Sequence, residues 1–160
     1  MKTLVIGLGN PILTDDGVGV KVAYAVEQAL GSGHDDSIDV TEASVGGLRL
    51  MEMMVGYDRV ILIDALTLGD APPGSVQQMS LPDLEAISPT QHSASAHDAS
   101  LVTALDSGRR MGLPLPDDII IYAISVENVL DFSDTPTPAV ARAIPRVTKA
   151  VLEDLGIDAS

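Results

Sequence analysis

Two consecutive acids, Asp15 and Asp16, follow a glycine-rich stretch near the N-terminus. A third acid, Asp64, closes the apolar run RVILID, and His97 stands just ahead of a helical stripe. Two carboxylates and an imidazole make a three-ligand set with open coordination positions, of the kind a borderline divalent cation accepts. Their separations along the chain leave open whether they meet. Each also has a purely structural reading: Asp15 or Asp16 caps the helix that follows, Asp64 caps the turn after its strand, and His97 is a solvated loop residue. A histidine at a helix N-terminus feels the positive end of the dipole, which favours the neutral ring a metal needs. His34 lies in a Gly/Asp-rich turn and is expected in solvent. His92 lies five residues before His97, a spacing that shares a face on neither a helix nor a strand, so a joint site would need a loop. No nucleophile competes. The chain has no cysteine, and Ser44 sits in EASVG, which lacks the first glycine of a G-x-S-x-G elbow.

The elements that must position these residues alternate between strand and helix. TLVI (residues 3–6) is a β-branched, unalternated run ending at Gly7, as a strand buried on both faces would be. Val18, Val22, Ala25, Val26 and Ala29 recur at helical spacing until Gly31 and Gly33 end the helix. A short strand over 38–41 and a helix over 48–55 follow, and RVILID (59–64) is the strongest buried strand. Pro72, Pro73 and Gly74 form a turn, after which residues 75–81 alternate as a half-exposed edge strand. Residues 83–95 show no periodicity and read as a surface segment. The spacing of Leu101, Ala104, Leu105 and Gly108 predicts a helix over 98–111, with Arg109 and Arg110 in its last turn, where cations suit the dipole. Residues 119–124 form another buried strand. Thr137 and Pro138 read as an N-cap followed by a proline at the first helical position. The stripe Val140, Ile144, Val147, Val151, Leu155 then runs toward the C-terminus, and Pro145 either kinks that helix or marks its true start. Strands alternating with helices predict a three-layer α/β sandwich around a mostly parallel sheet. If the strands before Asp16 and at Asp64 are central and adjacent, the two carboxylates converge at the carboxyl edge of the sheet, where open α/β sheets bind ligands.

Composition narrows the functions available. With 160 residues, a single domain over 1–160 can bury roughly two-thirds of its unfolded surface and needs no disulfide or structural metal. Nine Lys+Arg against 23 Asp+Glu give a net charge of −14, which argues against a phosphate-binding surface. Aromatic residues are only 2% of the chain, so platforms for stacking bases are poorly supplied. The N-terminal apolar run is too short for a signal peptide and no 18-residue apolar stretch exists. A cytoplasmic protein with no membrane or nucleic-acid partner is expected. The loop after the first strand also excludes two nucleotide motifs. A dinucleotide fingerprint needs Gly at position 12, where this chain has Ile12 after Pro11, and a Walker A loop needs a Gly-Lys-Ser/Thr that is missing.

VIGLGNPILTDDGVG (residues 5–19), the Ile63-Asp64 pair and HDASL (97–101), in that order, resemble the hydrogenase maturation protease family. The G-x-G-N-x-x-x-x-D-D-G-x-G loop is the specific part, and GGLRL (46–50) is similar to the glycine turn before the family's second helix. The resemblance implies a twisted, mostly parallel five-stranded sheet with helices on both faces, phosphorylase/hydrolase-like. It implies an endopeptidase that removes a C-terminal extension from the large-subunit precursor of a nickel–iron hydrogenase after nickel insertion. The nickel is then contributed by the substrate and recognised through Asp16, Asp64 and His97, which the resemblance makes both metal ligands and catalytic residues. No tightly bound organic cofactor is implied, and a monomer is expected. Beyond residue 124 the likeness loosens, so Glu127 and Asn128 receive no role from it, and His92 has no counterpart in the pattern.

Two other readings stand beside this one. Peptidyl-tRNA hydrolase shares the G-x-G-N-P start, but its histidine belongs to a Thr-Arg-His-Asn context where this chain has TDDG (14–17). The acidic balance also provides no basic groove for tRNA. A non-catalytic adaptor for metalloenzyme assembly would show the same folding features.

Overall fold

The computed structural model describes residues 1–31, 36–44, 46–67, 70–86 and 97–157; the side chains of Glu85 and of residues 97–100 fall outside that description. TLVIGL forms β1 (Thr3–Leu8), in which every residue is buried. β1 pairs in parallel with β2 (Ile38–Ala43) on one side and with β3 (Arg59–Leu66) on the other. β3 pairs in parallel with β5 (Asp118–Ser125), and β4 (Val76–Met79) closes the far edge antiparallel to β5, giving the order β2-β1-β3-β5-β4.

Unalternated apolar strands need both faces covered, and side-chain parity divides them between two helical layers. Leu4, Ile6 and Leu8 of β1, with Val60, Leu62 and Leu66 of β3, pack on Leu50, Met51 and Met54 of α2 (Gly47–Met54) and on Leu101 and Leu105 of α4 (His97–Arg110). Val5, Ile61, Ile63 and Ala65 face the other way. They pack on Val18, Val22 and Val26 of α1 (Val18–Leu30) and on Val147 and Val151 of α6 (Ala143–Asp154). Two short helices, α3 (Leu81–Ala86) and α5 (Pro138–Ala141), are also present among the described residues. Among the described residues, no helix is long and apolar enough to cross a membrane.

Three features differ from or refine the sequence reading. β3 continues past Asp64, because Ala65 and Leu66 are buried and pair with Ile124 and Ser125. Asp64 therefore lies inside the strand and caps no turn. The segment without periodicity opens with α3, which is too short for a stripe to register. Its start is signed instead by a capping box: Ser80 N donates to Asp83 Oδ2 (3.0 Å) and Asp83 N to Ser80 Oγ (3.4 Å). Pro145 is the third residue of α6, in the first turn, where a backbone N–H has no helical partner to lose; it marks the start of the helix and does not kink it.

Candidate functional site

The chain leaves β1 at Leu8 and passes through a short loop into a 3-10 turn, Thr14–Gly17, that runs directly into α1. Gly9 has φ +130°, and a Cβ there would lie 1.9 Å from the carbonyl oxygen of Asp16, so only glycine lets the loop fold back on that residue. Asn10 N donates to Asp16 Oδ2 at 2.8 Å. A Cβ on Gly19 would lie 2.3 Å from the carbonyl oxygen of Ile63 and 2.6 Å from that of Leu8. The start of α1 thus lies across the ends of β1 and β3, and the turn carrying Asp16 packs against β3.

Asp16 and Asp64, far apart in sequence, reach one edge of the sheet in this way, each 2% exposed. Asp64 has the parity of Leu62 and Leu66 and so stands on the face that α2 and α4 cover. Ala65 N donates to its Oδ1 at 2.8 Å. Neither acid of the Asp15-Asp16 pair caps α1, whose N-cap residue is Gly17 with no side-chain bond.

His97 is the first residue of α4. Near the other end of that helix, Gly108 packs on Leu115, just before β5 begins, so α4 runs back antiparallel to the strands. Its 14 residues span about 21 Å, close to the length of the strands it covers, which brings the backbone of His97 to the carboxyl edge. The His97 side chain, His92 and His34 lie outside the described residues.

Asp15, which the sequence suggested only as a possible cap, has a different task. It is fully buried. Its Oδ2 accepts from Glu127 N and Asn128 N (both 3.0 Å), and its Oδ1 from Thr137 N (2.7 Å), while the Thr137 hydroxyl donates to both oxygens at 2.9 Å. Thr137 sits at the N-cap of α5, yet its hydroxyl serves Asp15 and not a helix amide. Glu127 and Asn128, left without a role by the sequence, contribute backbone donors. Asn128 Oδ1 in turn accepts from Leu130 N (3.1 Å) and Asp131 N (3.2 Å). One signal could have separated the two acids: neighbours on a 3-10 turn point about 120° apart, so consecutive acids face different surroundings. Thr14 has φ 46°, a conformation a β-branched residue avoids. Bonds from Thr14 Oγ1 to Asp131 O (2.6 Å) and from Thr14 N to Ser133 O (3.0 Å) hold it there, and such over-determined strain concentrates at functional sites.

Beside this loop opens a shallow cleft of about 110 Å³ lined by Gly9, Pro11, Val20, Glu42, Ala43 and Ser44. Chemically, the edge offers carboxylate oxygens, each oriented by a backbone N–H. Oxygen donors of this kind suit a divalent cation, and a chain without cysteine supplies no thiolate.

Comparison with known proteins gives concordant results. The sequence profile of HycI, hydrogenase maturation protease, matches residues 20–154, a span that includes Asp64 and His97 and begins just after Asp16. The hydrogenase 2 maturation protease of Escherichia coli is 27% identical over 162 residues, covering 99% of this chain and 95% of that protein. The structure of the hydrogenase maturating endopeptidase HybD from Escherichia coli superposes with a TM-score of 0.80 at 26% identity, covering 98% of this chain and 93% of that one. A NiFe hydrogenase maturation protease, HybD from Thermococcus kodakarensis, shares the fold with a TM-score of 0.66 at 22% identity, over 97% of this chain and 99% of that one.

Proposed function

The chain belongs to the hydrogenase maturation protease family and is a hydrogenase maturation endopeptidase; from that premise we propose that it removes a C-terminal extension from the large-subunit precursor of a nickel–iron hydrogenase once nickel has been inserted. The nickel is part of the substrate. Asp16, Asp64 and His97 complete the coordination of a metal that thiolates of the precursor already hold. The reaction takes place in the cytoplasm, and the enzyme acts as a monomer.

What supports this reading most is that the turn carrying Asp16 packs against β3, the strand carrying Asp64, with both acids only 2% exposed. The chain has no cysteine, so any thiolate on the metal would belong to the partner. Asn10 N on Asp16 and Ala65 N on Asp64 fix the carboxylates before substrate arrives, so little side-chain freedom is lost on docking. Docking through the metal fixes the scissile bond relative to the edge, and positioning of that kind is a large part of rate enhancement. The substrate metal can then polarise the scissile carbonyl or a water.

The test is incubation with nickel-loaded large-subunit precursor, with loss of the C-terminal peptide followed by mass spectrometry. The wild type is expected to release the peptide, and Asp16→Ala or Asp64→Ala to slow release by at least about a hundredfold. Full-rate processing by Asp16→Ala would refute the site assignment. Tight binding of the precursor with no loss of peptide would make the protein an adaptor.

A further inference from the structure

Ile12, Leu130 and Phe132 are 54%, 83% and 82% exposed, and Phe132 is the single phenylalanine of the chain. Apolar side chains scattered singly over a surface need no explanation. These three, however, stand on two segments bonded to each other. Leu13 and Ser133 form a parallel bridge, in which Ser133 N donates to Ile12 O and Thr14 N to Ser133 O, both at 3.0 Å. Ile12 and Phe132 are therefore neighbours one residue ahead of the bridge, where paired positions point to the same side. Leu130 N is held on Asn128 Oδ1, and Asp15 ties the root of this loop to the turn that carries Asp16. Their exposure is built into the backbone and is not the slack of a loose loop.

We infer that Ile12, Leu130 and Phe132 form a docking lip beside the Asp16 turn that receives an apolar segment of the substrate polypeptide near its scissile bond. The inference rests on the site reading above. A polypeptide whose metal docks at Asp16 must cross the rim of the loop bearing Asp16, and Ile12 lies four residues earlier on that same loop. The lip is bordered by exposed acids, Glu127, Asp131 and Asp134. They favour a segment whose apolar residues are flanked by Lys or Arg, and they disfavour a second copy of a chain with net charge −14. Because the backbone of the lip is already held, docking there orders side chains only.

The experiment is steady-state processing of the nickel-loaded large-subunit precursor from the same organism, with sedimentation and far-UV circular dichroism on every variant. The double variant Leu130→Ser, Phe132→Ser is expected to raise KM about tenfold or more while kcat stays within about twofold. Phe132→Leu alone keeps an apolar side chain and is expected to hold KM within about twofold of the wild type. A merely structural role would lower kcat or the unfolding midpoint instead, and that result overturns the lip. Unchanged KM in the double variant with Asp16→Ala inactive overturns the lip and leaves the site reading intact. Asp16→Ala at full rate overturns the site reading and the lip with it. A dimer lost in the double variant at unchanged KM would assign the surface to self-association and equally overturn the proposal.

Discussion

Replacing Asp15 by alanine removes the group that ties the loop after β1 to the segment around residues 127–137. The carboxylate is fully buried and accepts from three backbone N–H groups and the Thr137 hydroxyl, at 2.7–3.0 Å. Each donor left without an acceptor costs about 1–3 kcal/mol, less what entering water recovers. Four donors lose their acceptor together, so after that recovery a loss of about 3–5 kcal/mol is expected. Against a total stability of about 5–15 kcal/mol it is a large share. Thr137→Val, which deletes only the hydroxyl, should cost about 1 kcal/mol. The assay is urea unfolding followed by far-UV circular dichroism, since the chain has no tryptophan, together with hydrogen exchange at the amides of Glu127, Asn128 and Thr137. A loss below about 1 kcal/mol for Asp15→Ala, with those amides still protected, would refute the assignment of Asp15 as the tie.

Gly19→Ala gains about 1 kcal/mol of helix propensity, but its Cβ would meet the Ile63 and Leu8 carbonyl oxygens at 2.3 and 2.6 Å. Both are backbone atoms that cannot swing aside, so a net loss of about 2 kcal/mol or more is expected in urea unfolding; a stabilised variant would contradict the close approach. The hydrogen bond from Tyr57 to Asp39 (2.6 Å), aided by burial and the carboxylate's charge, pushes the phenol from 10.0 up to about 12. The folded state then keeps a proton that the unfolded chain releases, so this contribution is full below about pH 10 and is lost as pH rises through 12. Tyr57→Phe should lessen the fall of the urea midpoint over that range, and an equal fall in the variant would refute the coupling. The purified protein should carry no stoichiometric metal, because the thiolates that hold nickel belong to the precursor; tightly bound zinc found by elemental analysis would count against substrate-borne metal recognition.

Much of this architecture was legible in the sequence for a plain reason. β1, β3 and β5 are apolar on both faces, and such strands belong to a parallel sheet covered by two helical layers. The edge strand expected over 75–81 is shorter, Val76–Met79, with Gln77 and Gln78 both exposed and Leu81 already in α3. Asp64 was misplaced at a strand end because a carboxylate seldom lies within a buried strand; here Ala65 N donates a hydrogen bond to it, and Leu66 continues the ladder. α3 was hidden by its six residues, although Ser80 and Asp83 at capping-box spacing could have exposed it. The task of Asp15 was out of reach. Its partners lie 112 to 122 residues away, and no local pattern encodes a bond across that separation. Neither the lip nor its exposure was legible either, because Ile12 and Phe132 become neighbours only through the Leu13–Ser133 bridge.

The central claim is that Asp16, Asp64 and His97 read a nickel ion held by the substrate. Its most direct test is a side-by-side processing assay on nickel-loaded and nickel-free precursor, using the wild type, Asp64→Ala and His97→Ala. The account predicts release of the C-terminal peptide only from loaded precursor by the wild type, and loss of that release by about a hundredfold in either variant. Equal processing of nickel-free precursor, or full-rate processing by both variants, would contradict it.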